Sequence, residues 1–149
     1  MITYRLQKVI KAPIKYVYDW LTDFTDQDNS IWGGKYPRII LFKSKKKTVY
    51  ASYKAGADNT PKLAVRIVTM VPSKYRWHLD YYAEEDIETA DYKLSKTRNN
   101  WTRLSIQFKN SWKHGKGPSA QSLEKQTGFI WDKYSDALES DYRSGKKAN

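Results

Sequence analysis

The 149-residue chain has no cysteine. A disulfide framework, a thiolate metal site and a cysteine nucleophile are therefore excluded. Histidine occurs twice, as His78 and His114, and no spacing of histidines and carboxylates matches a metal site. The calcium-loop spacing, with its glycine and terminal glutamate, is missing near Asp19, Asp23, Asp26 and Asp28. Glycine is sparse, and Gly33-Gly34 lacks both the Gly-Lys-Ser/Thr ending and the preceding strand of a phosphate loop. No serine sits in a Gly-x-Ser-x-Gly elbow, so classical nucleophilic catalysis has no support. No structural metal, no cofactor and no catalytic residue are expected. No apolar run is long enough to span a bilayer, and Met1 to Arg5 lacks the apolar stretch of a signal peptide. A soluble cytoplasmic protein is the expectation.

Aromatic residues are abundant at 15%, with 6 Trp and 12 Tyr. Bulky rings fill a wide core with few residues, or line a wet cavity with their polar tips. The length suits one domain, burying about two-thirds of its unfolded surface. Lys plus Arg is 27 against 16 Asp plus Glu, a net charge of +11. Much of that charge falls at expected turns, Lys43 to Lys47, Lys93 to Arg98 and Lys113 to Lys116, where it is solvated. It also allows nucleic acid or an anionic membrane as a partner, through tyrosines and lysines interleaved at Lys35-Tyr36 and Lys74 to Arg76. Elution from heparin at low salt would dismiss that alternative.

The periodicity gives the order of elements. Thr3 to Lys11 reads as a strand, and Pro13 suits the first turn of a short helix carrying Val17, Trp20, Leu21 and Phe24. Thr25 to Ser30 caps a second short helix or forms a loop, and regular structure is not expected from Ile31 to Pro37. Six hairpin-linked strands follow: Arg38 to Lys43, Thr48 to Lys54, Lys62 to Val71, Lys74 to Ala83, Asp86 to Ser95 and Trp101 to Asn110. Ser119 to Tyr142 is a long amphipathic helix, with Ser119 or Ser122 as its cap. The fold class is α+β: a meandering antiparallel sheet of seven strands with a long C-terminal helix laid on it, and one or two short helices between strands 1 and 2.

This order, with Val9 to Phe24 and the Ile31-Trp32-Gly33-Gly34 stretch, resembles the helix-grip superfamily. That group (START, SRPBCC) includes lipid-binding domains, birch-pollen-allergen-like proteins and the polyketide cyclase/dehydrase and lipid-transport family. The resemblance covers the whole chain in topology and residues 9 to 34 in local sequence. It implies a seven-stranded curved antiparallel sheet wrapped around the C-terminal helix, with a ligand cavity between them; length and charge pattern give one helix-grip domain over residues 1–143 and a basic tail over 144–149.

A small hydrophobic or amphipathic ligand, such as a lipid or polyketide, would bind there. The helix offers Leu123, Thr127, Ile130, Trp131 and Tyr134 as lining residues. The strands offer Val65, Ile67, Trp77, Leu79, Tyr81, Leu104 and Ile106, while Trp20, Phe24 and Trp32 close one end. Solid core packing is the competing reading of every one of these. The alternative function is a cyclase/dehydrase-type enzyme in the same cavity. It needs a buried acid or base among Arg66, His78, Asp80 and Glu88, although alternation with Trp77 and Leu79 turns His78 outward.

Overall fold

A computed structural model of the chain describes residues 1–26, 28–55 and 60–148. The side chains of Trp32, Lys54 and Ala55 lie outside that description, as does most of the loop expected between Ala55 and Pro61. Strand β1 (Ile2–Ile10) leads to helix α1 (Ile14–Leu21) and a 3-10 turn at Asp28–Trp32. Strands β2 (Ile39–Lys43), β3 (Lys47–Ala55), β4 (Pro61–Val71), β5 (Arg76–Ala83), β6 (Asp86–Lys96) and β7 (Thr102–Trp112) follow. Helix α2 (Ala120–Arg143) comes last.

All seven strands form one antiparallel sheet in the order β1-β7-β6-β5-β4-β3-β2. Strands β2 to β7 are neighbours in sequence and in space, as hairpins require. β1 pairs with β7 at one edge while β2 ends the other, so α1 and the 3-10 turn lie on a crossing of the whole sheet. α2 packs on β1, on the 3-10 turn and on α1. Ile10, Val17, Leu104 and Leu138 are fully buried where sheet and helices meet.

Local chemistry sets the boundaries. Pro13 has extended backbone (φ −65°, ψ 151°) and stands just before α1 rather than in its first turn; its carbonyl accepts from the Val17 N–H at 3.0 Å. Ser119 caps α2, its hydroxyl accepting from the Ser122 N–H at 3.1 Å. The 3-10 turn takes in Ile31 and Trp32, where no regular structure was expected, and ends at Gly33 with φ 88°. β5 begins at Arg76 rather than Lys74, because Pro72 nucleates a further 3-10 turn and Tyr75 adopts a left-handed φ of 52°.

One strand is turned over relative to expectation. On β4 the concave face carries Ala64, Arg66, Val68 and Met70, so Val65 and Ile67 point to the convex side. Side chains alternate strictly along a strand, and inward Arg66 forces its two neighbours out. The concave side accepts the cation because partners await it. The Arg66 guanidinium donates to Ser52 Oγ and lies over the Tyr81 and Tyr50 rings, at 4.7 and 5.7 Å. Small residues also suit this crowded side, with Ala64 facing Ala83 across the ladder and Ser52 on its other flank.

Candidate functional site

Seven rings line the space between α1, α2 and the concave face of the sheet. Trp77 from β5 stacks on Tyr92 from β6, with centroids 4.8 Å apart and planes 8° from parallel. Tyr92 meets Trp131 at 6.0 Å, Trp131 meets Tyr134 at 5.4 Å, and Tyr134 meets Trp20 at 6.4 Å. Trp20 is held in turn by its indole N–H, which donates to Asp141 at 2.9 Å. Edge-to-face and offset contacts of this kind fix ring orientation as well as burying area. Phe24 and Tyr50 form the facing wall, stacked at 5.9 Å.

These rings enclose a cavity of about 60 Å³. Its wall also carries one cation and one anion, Arg38 and Asp28. Arg38 sits between the Gly33-Gly34 stretch and β2, anchored by its backbone N–H on Asp26 O at 2.9 Å. Its guanidinium donates from Nη1 to Asp28 Oδ2 at 2.5 Å and from Nη2 to Tyr134 Oη at 3.5 Å. The plane covers Tyr50 at 4.6 Å and Phe24 at 5.9 Å. Burial disfavours its charge, but Tyr50, Tyr134 and Asp28 outweigh that and hold the group protonated. Asp28 also accepts from the Thr25 hydroxyl at 2.6 Å. Nearby Asp23 has its carboxyl pushed up to about 7 by burial and by Asp28.

A second polar group lies farther along the concave face. Register aligns Tyr50, Arg66, Tyr81, Glu88 and Asn110 in one row across five strands. Glu88 accepts from Tyr4 Oη at 2.7 Å and from Asn110 Nδ2 at 3.0 Å. Burial, more than Asp86, raises its carboxyl, while these two hydrogen bonds and Arg66 restrain the rise.

The expected site residues separate accordingly. Trp20, Phe24, Trp77, Leu79, Trp131 and Tyr134 line the cavity. Tyr81, Leu104 and Ile106 face the same side but are buried elsewhere in the packing. Leu123, Thr127 and Ile130 are half-buried on α2 away from the cavity wall. Val65 and Ile67 are on the opposite face, and the Trp32 side chain is outside the described residues. Arg38, Asp28, Tyr50, Tyr92 and Leu21 complete the wall without having been expected. Tyr92 was detectable, because a hairpin turning at Glu84-Glu85 sets it opposite Trp77; Arg38 follows an irregular loop and gave no periodic signal. Of the acid–base candidates, Arg66 and Glu88 face inward, whereas His78 and Asp80 face outward.

No family profile and no curated protein matches the sequence. Solved structures match in fold. The Zhui aromatase/cyclase from a Streptomyces species superposes with a TM-score of 0.70 at 9% identity, covering 94% of this chain and 92% of that one. Ara h 8.0201 gives 0.72 at 11% identity, with 93% and 98% covered. A START superfamily protein from Mycobacterium smegmatis gives 0.65 at 10% identity, with 95% and 97% covered. At such identities the likeness speaks to architecture. The chain has the helix-grip fold: a seven-stranded antiparallel sheet gripping a long C-terminal helix. Among the described residues, no helix is long and apolar enough to cross a membrane, and no cluster of three or more histidines and carboxylates forms a metal site.

Proposed function

We propose that the protein binds a small hydrophobic or amphipathic molecule between the sheet and α2. The observation that carries this reading is a ring-walled cavity with one buried, ion-paired guanidinium at its edge. Apolar walls with a few fixed polar groups are the usual composition of ligand sites. Fold neighbours described as an aromatase/cyclase and a START superfamily protein support the same reading.

The resting volume of about 60 Å³ is well below the ~300–1,000 Å³ of ordinary ligand pockets. Binding therefore moves rings. Trp20, Trp131 and Tyr134 are half-buried, on the two helices that cover the cavity, and their rotation is the opening motion. A compact aromatic molecule suits this space better than a long lipid chain. Titration of 2-acetonaphthone against tryptophan fluorescence tests it. Saturable quenching is expected in the parent protein, with tighter binding in Tyr134→Ala, where removal of the ring enlarges the cavity. No saturable change in either protein would refute the reading.

A second reading, a cyclase- or dehydrase-type enzyme, draws on inward Glu88 with its raised carboxyl and its contact to Tyr4. Glu88→Gln should then abolish turnover of a poly-ketone substrate while leaving its binding intact. Unchanged turnover would dismiss this reading.

A further inference from the structure

Arg38 leaves one donor unused. Its Nη1 and Nη2 atoms reach Asp28 and Tyr134, but Nε meets no acceptor among the described residues and is sealed from bulk solvent. The whole side chain retains only 11% of its exposure. An unpaired N–H in a dry wall is costly unless a guest supplies the acceptor. The guanidinium lines the cavity beside Tyr50, Trp20 and Tyr134, where a flat guest would stack.

The sign of the charge matters as much as the donor. Arg38 and Asp28 lie 2.5 Å apart and cancel. An incoming carboxylate would lose its hydration and find no net positive charge in return. An uncharged carbonyl oxygen would satisfy Nε and surrender far less hydration. We infer that the cavity selects planar aromatic molecules bearing a neutral carbonyl acceptor, read by Arg38 Nε, over the corresponding carboxylates and hydrocarbons. This rests on the proposal that the cavity is a binding site.

Three probes of nearly equal shape separate the two ideas: 2-acetonaphthone, 2-ethylnaphthalene and 2-naphthoate. Each is titrated at neutral pH, following the indole N–H signals of Trp20, Trp77 and Trp131 by NMR. The ketone should bind about tenfold tighter than the hydrocarbon, the effect of one charge-assisted hydrogen bond in a dry site. The carboxylate should bind weakest of the three. Arg38→Lys keeps a cation for Asp28 but deletes Nε–H, so the ketone should fall to the level of the hydrocarbon. The ranking on the unsubstituted protein decides alone if that variant does not fold. Equal binding of ketone and hydrocarbon, or tightest binding of naphthoate, overturns the inference while leaving the binding site standing. No binding of any probe overturns both.

Discussion

Asp23 lies half-buried just beyond α1, with Asp28 and Lys43 close by. Burial and Asp28 push its carboxyl from 3.8 up to about 7, against the pull of Lys43 and Arg38. Between those values the folded chain holds a proton that the unfolded chain has released. The stability that Asp23 controls therefore falls as pH rises from about 4 to 7. Asp23→Asn removes this dependence, so the variant should melt above the parent at pH 8 and lose that advantage at pH 5. Equal shifts at both pH values would contradict the assignment. His78 has the same sign. Burial lowers its pKa, but hydrogen bonds to Asp91 at 2.7 Å and Asp80 at 2.9 Å outweigh burial and raise it. Its contribution to stability is complete below 6.5, its ordinary value, and is lost as pH rises through the higher folded value. Asp91→Asn should lower the His78 midpoint in an NMR titration of the ring protons; an unmoved midpoint would show that the pair carries no weight. The outward face of His78 was readable from its alternation with Trp77 and Leu79. The importance of Arg38 was not, because its setting depends on Asp28 in the 3-10 turn, Tyr134 on α2 and Tyr50 on β3, contacts that no local pattern encodes.

At the scale of elements, α2 was the most legible. Its apolar stripe recurs at helical spacing, and serine precedes it where a cap is needed. Leu138 pins the helix to the sheet and is fully buried. Leu138→Ala should cost about 2–5 kcal/mol in urea unfolding; a loss under about 1 kcal/mol would mean that the helix is not gripped there. The link from β7 into α2 also turns on one contact. A Cβ added at Gly117 would lie 2.8 Å from Trp112 Cγ, inside any tolerable separation from a rigid ring. Gly117→Ala should lower the melting temperature, whereas Gly115→Ala meets no atom within 4 Å and is strained only by its φ of 68°. Equal melting of Gly117→Ala and the parent would remove Trp112 as the constraint. β4 was the least legible element. Its branched residues alternate convincingly, but a strand pattern specifies two faces without saying which is inside. The deciding factors were the small space opposite Ala83 and the partners waiting for Arg66, both supplied by other strands.

For the whole molecule, hairpin order and a final amphipathic helix were enough to give the architecture, because from β2 onward each strand lies beside the next and is joined to it by a short connection. The site was half legible. Its tryptophans and Tyr134 stood out by type and spacing, while the polar edge at Asp28 and Arg38 came from the crossing between β1 and β2. The central claim is that a ligand enters the hollow under α2 by displacing rings. Indole N–H shifts during titration with 2-acetonaphthone test this most directly. Trp20, Trp77 and Trp131 line the hollow, whereas Trp101 and Trp112 do not. The expected result is saturable movement of the first three signals with the other two fixed; movement confined to Trp101 and Trp112, or no movement at all, would contradict the account.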